Sequence, residues 1–90
     1  MKKSFRQLER WVRGFSNHRR IEILTLLEKN PELSVLEISQ KLNIKFTTAS
    51  AHLTRLATAG LVLKKNDDQA VRHKISHRAK QVLMFLRTLE

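Results

Sequence analysis

Residues 34–61 read SVLEISQKLNIKFTTASAHLTRLATAGL, and the stretch begins with a short amphipathic segment. Ser34 followed three residues later by Glu37 is a capping box, in which the hydroxyl and the carboxylate each satisfy one backbone amide at a helix start. The apolar side chains behind it recur at helical spacing: Val35, Ile38 and Leu42. Asn43 then stands where a helix commonly ends through a left-handed residue.

A second amphipathic segment follows almost at once. Its apolar positions are again at helical spacing: Ala49, Leu53 and Leu56. Gly60 stands just past its end, where the left-handed conformation favours glycine. Two helices joined by about three residues form a helix-turn-helix, a motif whose second helix enters the DNA major groove. The stretch therefore predicts a recognition helix over about residues 46–59.

The composition describes one small, basic domain. The 90 residues predict a single domain over residues 1–90. A domain of this size buries only about 60 to 65% of its unfolded surface, so a partner subunit would add stability. Lys and Arg number 18 against 8 acidic residues, and the net charge of +10 is typical of proteins that meet phosphate backbones or anionic surfaces. Some small proteins are basic without such a partner, so the charge alone does not identify one.

Cysteine content and hydropathy indicate the cellular compartment. The chain has no cysteine, which excludes disulfides and thiolate metal ligands. No apolar run approaches the ~20 residues of a membrane span, and the first residues, MKKSFRQLERW, lack the apolar segment of a signal peptide. We therefore expect a cytoplasmic protein.

The first predicted helix, over about residues 4–15, is sharply amphipathic, with Ser4 and Gln7 offering a cap. One side is basic: Lys3, Arg6, Arg10 and Arg13. The other side is apolar and carries three of the chain's five aromatic residues: Phe5, Leu8, Trp11, Val12 and Phe15. Such an apolar face either completes the core or meets a second subunit, and the basic side is either solvated or flanks DNA.

A last amphipathic helix is predicted over about residues 77–89, with Ser76 as its cap. Its apolar residues span a sector about 160° wide, which exceeds what one side of a small core can cover. We therefore predict that the two terminal helices form the seam of a homodimer. The predicted interface residues are Phe5, Leu8, Trp11, Val12, Phe15, Val82, Phe85, Leu86 and Leu89.

The middle of the chain supplies a central helix and a hairpin. Residues His18–Lys29 are apolar almost all round, which is typical of a central helix, and Leu33 is expected to add a one- or two-residue strand to the hairpin. After Gly60 the apolar spacing changes from helical to alternating, which predicts two strands. The predicted apolar face holds Leu61, Leu63, Val71, His73 and Ile75. The predicted basic face holds Lys64, Lys65, Arg72 and Lys74, behind an acidic tip of Asp67 and Asp68.

This order of elements resembles that of the ArsR-type winged helix-turn-helix transcription regulators. The resemblance covers roughly residues 18–76 and depends on NHRRIEILTLLEKNPELSVLEISQKLNI, TTASAHLTRLATAGLV and the hairpin ending VRHKIS. It implies a mainly α fold with a small β-hairpin, in which the first and last of five helices flank the core. It also implies a homodimer whose recognition helices enter successive major grooves of a pseudo-palindromic DNA site, often under the control of a metal or other effector.

The metal ligands of such relatives are missing. Thiol-sensing members place cysteines where this sequence reads ELSVLEI, and others use paired Asp, His and Glu on a last helix that here offers only His77 and Glu90. Metals need three or four converging ligands, and the remaining histidines, His18, His52 and His73, suggest no such set. We predict no metal and no cofactor.

The predicted reading face departs from the family as well. Opposite the buried stripe lie Thr47, Ala51, Thr54 and Thr58, and the family commonly has an Arg where Ala51 stands. Arg, Asn and Gln make the bidentate base contacts worth about 1–3 kcal/mol each, so we expect modest base specificity that leans toward A·T-rich sites. The predicted DNA-binding residues are Lys45, Thr47, Thr48, Ser50, Ala51, Thr54, Arg55, Lys64, Lys65, Arg72 and Lys74.

Three side chains of the helix-turn-helix have two interpretations each, and a fourth, in the hairpin, has one. Lys45 occupies the cap position of the recognition helix, where it cannot accept from backbone amides, so it either contacts a phosphate or is only solvated. Phe46 is predicted to plug the core, with an exposed contact as the alternative. His52 is predicted to make a structural hydrogen bond rather than act as a pH switch, and His73 to pack inside the hairpin.

Two classes of function remain. The sequence contains no Gly-rich phosphate loop, no plausible nucleophile with a base and no carboxylate pair expected in a cleft, so we predict that it is not an enzyme. The leading hypothesis is a homodimeric DNA-binding transcription regulator. The alternative is a winged-helix module that binds protein or RNA without reading DNA sequence. A DNA binder should lose affinity steeply as salt rises, whereas a protein interface with an apolar centre should not.

Overall fold

The computed structural model describes residues 1–90 and contains five helices and one antiparallel hairpin, as predicted. The elements are α1 (Phe5–Phe15), α2 (His18–Lys29), α3 (Val35–Leu42), α4 (Phe46–Thr58), β1 (Val62–Asn66), β2 (Val71–Ile75) and α5 (His77–Arg87). None of these helices has the length and apolar character needed to cross a membrane.

Local side-chain chemistry sets the helix ends. The predicted capping box at Ser34 is present, with Glu37 accepting from the Ser34 amide at 3.0 Å. Asn43 has a φ of 54° and Gly60 a φ of 77°, so both predicted left-handed exits are confirmed. Three residues therefore separate α3 from α4, which confirms the helix-turn-helix.

The core lies around α2, which contacts α1, α3, α4, α5 and β2. Apolar residues from every element except α1 fill it, and Trp11 and Phe15 of α1 pack against its edge. The fully buried Leu24 confirms that α2 is central. The buried apolar residues are Ile23, Leu24, Leu27, Leu33, Ile38, Ala49, Leu53, Leu56, Ala59, Leu61, Val62, Ile75, Ala79, Val82 and Leu83.

The hairpin forms as predicted, but in its first strand the side chains that face the core are not the predicted ones. Val62 pairs with Ile75 and both are buried, whereas Leu63 pairs with Lys74 and is 54% exposed. The left-handed turn at Gly60 buries Leu61 before the strand begins, so the alternation starts at Val62. Because cross-strand partners share a face, Lys64 lies on the side of His73, and only Lys65, Arg72 and Lys74 share the opposite side.

A third, one-residue strand completes this small sheet. Leu33 forms an antiparallel bridge with His73, and the His73 amide donates to the Leu33 carbonyl at 3.0 Å. The predicted strand at Leu33 is therefore confirmed. This bridge attaches the hairpin, which is the wing of the fold, to the residue that precedes the α3 cap. The wing and the helix-turn-helix therefore keep a fixed position relative to each other.

Candidate nucleic-acid interface

The outer face of α4 carries most of the predicted reading residues. Ala49, Leu53 and Leu56 bury one side of this helix. The predicted contacts are on the remaining surface, where all are exposed except the half-buried Ser50: Thr47, Thr48, Ser50, Ala51, Thr54 and Arg55. The Thr54 hydroxyl donates to the Ser50 carbonyl at 3.0 Å, so it is left as an acceptor toward solvent. The face offers methyl groups, hydroxyls and one guanidinium.

Lys45 is the cap residue of α4, and it makes no side-chain cap hydrogen bond. Its backbone is extended, at φ −62° and ψ 144°, and its side chain is exposed. The first amides of α4 therefore lack a side-chain acceptor at the positive end of the helix dipole. A phosphate oxygen beside Lys45 would supply both an acceptor and a counter-charge.

Phe46 is exposed rather than buried, so the prediction that it plugs the core is wrong. Its side chain is 53% exposed at the first position of α4. The neighbouring apolar residues form only an open groove against one side of the ring: Val35, Leu36, Ala70 and Val71. An aromatic ring therefore stands beside Lys45 at the end of the helix that enters the groove in helix-turn-helix proteins, where a phenyl group can contact a thymine methyl.

The basic stem of the wing divides between free and engaged side chains. Lys64, Lys65 and Lys74 are exposed, and Lys65 has only a long ion pair to Glu32, at 3.7 Å between Nζ and Oε1. An exposed pair of that length is worth little, so all three ammonium groups are available to a polyanion.

Arg72, by contrast, is held by its own chain. Its Nε donates to Asp67 Oδ2 at 2.9 Å, and its Nη1 donates to Glu37 Oε1 at 3.2 Å and to the Glu32 carbonyl at 3.3 Å. These contacts connect the wing tip to the start of α3. The guanidinium is therefore already occupied, and its predicted role as a DNA contact stays a prediction.

The acidic tip of the wing is structural in part. Asp67 accepts from Arg72 and from the backbone amides of Gln69 and Ala70, and these hydrogen bonds lower the pKa of Asp67 to about 2. The Asp67 charge is thus neutralised within the hairpin, which leaves Asp68 as the free acidic group of the tip.

Arg20 was not singled out by sequence reasoning, and it connects α1 to the recognition helix. It is buried, and its Nε donates to the Gly14 carbonyl at 2.8 Å and its Nη2 to the Arg13 carbonyl at 3.3 Å, which caps the end of α1. Its Nη1 donates to His52 Nδ1 at 3.3 Å. The predicted structural hydrogen bond of His52 is therefore present. Arg20 lies in the first turn of α2, a helix whose apolar residues cover most of its circumference. A charged residue at such a position was the signal from which its buried role could have been predicted.

Burial lowers the pKa of two histidines, the buried His73 and the half-buried His52. For His52 the positive charges of Arg20 and Arg55 add to the effect of burial, and for His73 burial outweighs the hydrogen bond from Nδ1 to the Leu33 carbonyl at 2.9 Å. Both imidazoles are therefore neutral in the folded chain at neutral pH.

We expect stability to fall as pH decreases below about 6.5. The unfolded histidines take up protons near that pH while the folded ones resist, so the free energy of unfolding declines from there toward the lower folded-state pKa values. Urea unfolding at pH 7.5 and pH 5 measures the decline. His52→Gln keeps an acceptor for Arg20, and its decline should be smaller than that of the wild type; an equal decline would remove His52 from the effect.

Six of the nine predicted dimer residues line an open apolar groove between α1 and α5, whereas Phe5, Leu86 and Leu89 lie outside its lining. The groove has a volume of about 540 Å³ and is lined mainly by Leu8, Trp11, Val12, Phe15, Val82 and Phe85. The Arg78 guanidinium lies 3.9 Å from the centre of the Trp11 ring and closes one end of it. Val82 is buried within the chain itself, whereas Phe5, Val12, Phe85 and Leu89 are exposed.

No group of three His, Cys, Asp or Glu side chains converges anywhere in the chain. The four histidines therefore do not form a candidate metal centre. The candidate site is a surface: a threonine-rich helix face, a lysine at the start of that helix and a basic hairpin stem beside it. This combination defines the class of winged helix proteins that bind DNA.

Comparison with known proteins gives the same class. The model of the winged helix-turn-helix DNA-binding family matches residues 16–62, which is more than half of the chain. The structure of HlyU from Vibrio cholerae N16961 superimposes with a TM-score of 0.84 at 32% identity, with 99% of this chain and 97% of that chain covered. The homodimeric winged helix-turn-helix DNA-binding domain of Mb0332 from Mycobacterium bovis, a possible ArsR-family regulator, superimposes with a TM-score of 0.83 at 26% identity, covering 99% and 88%.

The chain belongs to the winged helix-turn-helix DNA-binding family. Its resemblance to the ArsR-type transcription regulators is confirmed, and its relatives are transcription regulators rather than enzymes. The transcriptional activator HlyU from Vibrio cholerae serotype O1 is 37% identical over 65 residues, which are 72% of this chain. The match spans 59% of that activator's length. Of the two function classes, the family supports the DNA-binding regulator.

Proposed function

We propose that this winged helix-turn-helix chain regulates transcription as a homodimer, with α4 in the major groove and the wing stem along the phosphate backbone. The observation that carries the proposal is the exposed outer face of α4 beside unpaired lysines at its start and on the wing. Because the partner is chromosomal DNA, we also propose a cytoplasmic location.

The proposed contacts divide into positioning and reading groups. Lys45, Lys64, Lys65 and Lys74 contact phosphates, since all are exposed and none has a strong internal partner. The reading groups are Thr47, Thr48, Ser50, Ala51, Thr54 and Arg55. Arg72 serves chiefly to hold the wing against α3, through Asp67 and Glu37.

Modest base specificity follows from the chemistry of this reading face. Threonine and alanine methyl groups favour thymine, and hydroxyls make single hydrogen bonds to several bases. Arg55 is the one side chain of the set that can make a bidentate contact to guanine. Most of the affinity therefore comes from phosphates, and the preference leans toward A·T-rich sequences.

Dimerisation would place two such faces on one duplex. The exposed groove residues Val12 and Phe85 lose their contact with water if a second copy covers the groove, and a larger interface would also bury Phe5 and Leu89. The symmetry of a dimer then predicts a pseudo-palindromic site with half-sites about one helical turn, ~34 Å, apart. The homodimeric state of the Mb0332 domain supports this arrangement.

The contact assignment is tested by Lys45→Ala combined with Lys74→Ala. We expect weaker binding to every duplex by a similar factor, and a decrease of about 1 per lost contact in the slope of log affinity against log salt. Fluorescence anisotropy at several salt concentrations measures both quantities. Lys29→Ala combined with Lys80→Ala, on α2 and α5 and outside the proposed contacts, is the charge-matched control. A slope that stays at the wild-type value in the double variant would exclude these two lysines.

A further inference from the structure

Four arginines line one cleft, and three of them lie outside the proposed DNA contacts. The cleft lies between the second half of α1 and the second half of α4 and has a volume of about 250 Å³. We call it the arginine cleft and define it by six lining residues: Arg10, Arg13, Arg20, Thr54, Arg55 and Thr58. Arg10, Arg13 and Arg20 belong to neither the predicted reading face nor the wing.

Close packing of α1 on α4 creates this cleft. A Cβ atom placed on Gly14 would lie 2.5 Å from the Cβ of Ala59, so the two helices cross without a side chain between them. That approach brings the basic side of α1 beside Arg55 and Thr58 at the end of the recognition helix. Arg20 forms the floor, where its hydrogen bonds to the Gly14 and Arg13 carbonyls hold the guanidinium in place.

The positive charge of the cleft is almost uncompensated. Arg10, Arg20 and Arg55 have no carboxylate within 4.0 Å, and Arg13 has only a solvent-exposed contact with Glu9 at 4.0 Å. Burial lowers the pKa of Arg20, and the positive charge of Arg55 adds to that effect. Like charges held this close in the free chain raise its free energy, and a bound anion would offset that cost.

The donor set in the cleft suits a phosphate group. The guanidinium groups of Arg10, Arg13 and Arg55 present planar pairs of N–H donors that match phosphate oxygens, and they stay charged at any physiological pH. Arg20, whose Nε, Nη1 and Nη2 all donate within the chain, contributes chiefly its positive charge. The Thr58 hydroxyl has no partner within the chain and can donate to another oxygen. A carboxylate side chain does not line the cleft, so nothing there competes with the anion.

We infer that the arginine cleft binds a phosphate group, and that this phosphate belongs to the DNA backbone flanking the bases that α4 reads. The inference rests on the proposed function, because the cleft is continuous with the reading face through Thr54, Arg55 and Thr58. A backbone strand lying in the cleft is gripped at the end of α4 opposite to Lys45. The duplex is then held on both sides of the recognition helix, by α1 on one side and by the wing on the other.

The test uses Arg10→Ala with Arg13→Ala, because these side chains make no internal contact that the fold needs beyond the weak pair to Glu9. The control is Lys29→Ala with Lys80→Ala, which removes the same charge from α2 and α5, outside the cleft. Arg20 is left intact, since its loss would uncap α1. Two measurements are made on the wild type and both variants.

The first measurement is the salt dependence of duplex binding. If the cleft holds backbone phosphate, the slope of log affinity against log salt falls by about 1 to 2 in the arginine variant and stays unchanged in the control. The second measurement is the melting temperature in sodium phosphate against sodium chloride at equal ionic strength. Phosphate raises the melting temperature of proteins generally. The relevant quantity is therefore how much larger the rise from chloride to phosphate is in the wild type and the control than in the arginine variant.

The outcomes distinguish two sources of the bound phosphate group, the DNA backbone and a free phosphate or small phosphorylated molecule. A lower slope in the arginine variant, with an unchanged slope in the control, supports the backbone assignment. An unchanged slope with loss of the extra phosphate stabilisation overturns that assignment and identifies the ligand as a free phosphate or a small phosphorylated molecule. No change in either quantity overturns the site altogether. If the wild type binds no duplex, the proposed function fails, and the melting measurement still judges the cleft.

Discussion

Phe85→Glu should convert the proposed homodimer into a monomer at concentrations where we expect the wild type to be dimeric. Phe85 is 54% exposed on α5 beside the apolar groove, so the substitution removes little from the core of a single chain. In a symmetric interface each substitution appears twice, and each buried carboxylate carries a desolvation cost that pairing with Arg78 in the same groove would only partly offset. We expect the dimer to weaken by about 30-fold or more, the size of a loss of about 2 kcal/mol at an interface hot spot. Sedimentation equilibrium gives the mass directly.

Met84→Glu is the matched control for this substitution. Met84 is 66% exposed on the same helix, but it lines a different cavity, beside Leu27 and Pro31. It should leave the dimer intact. Phe85→Glu should also weaken binding to a two-half-site duplex more than to a single half-site. A Phe85→Glu protein that remains dimeric, with a wild-type circular dichroism spectrum, would show that the groove is not the seam.

Gly14→Ala should destabilise the fold by about 1–3 kcal/mol, the cost of overpacking a close contact. The new methyl group would lie 2.5 Å from the Cβ of Ala59, and neither atom can rotate away. The gain in helix propensity is at most about 1 kcal/mol and is smaller near a helix end. Helix α1 must therefore shift away from α4, and Arg20, whose acceptors are the Gly14 and Arg13 carbonyls, shifts with it. Urea unfolding measures the loss.

The reciprocal substitution Ala59→Gly tests whether the contact with the Ala59 Cβ causes the loss of stability in Gly14→Ala. If the two Cβ atoms are in conflict, the double variant Gly14→Ala with Ala59→Gly should be more stable than Gly14→Ala alone, even though Ala59→Gly removes a buried methyl group. Additive losses would mean that the contact is not the reason. A Gly14→Ala protein as stable as the wild type would contradict the close packing that forms the arginine cleft.

Local chemistry made most of the fold predictable from sequence. The capping box at Ser34 and the left-handed residues Asn43 and Gly60 each depend on a few adjacent residues, and all three are present. Together they determine where α3 and α4 begin and end. The central position of α2 followed from its apolar residues, which cover most of the circumference of the helix and therefore need neighbours on several sides.

Long-range contacts made the rest unpredictable. Which side chains of β1 face the core depended on whether the strand begins at Leu61 or after it. The turn at Gly60 leaves Leu61 outside the strand. Phe46 is exposed because Leu36 and Val71 form only an open groove beside it. The engagement of Arg72 by Asp67 and Glu37 joins residues up to 35 positions apart, which periodicity does not reveal. Arg20 needed the carbonyl groups at the end of α1, whose position only the folded chain defines.

The most direct test of the proposed function is fluorescence anisotropy of the wild-type chain on labelled duplexes at about 50 and 200 mM salt. Random-sequence and A·T-rich genomic upstream duplexes are compared. A dimer that neutralises six or more phosphates should lose about 1,000-fold in affinity between the two salt concentrations, with a modest preference for A·T-rich sequences. Binding that does not change with salt, or no binding at 50 mM, would contradict the account and direct attention to a protein partner.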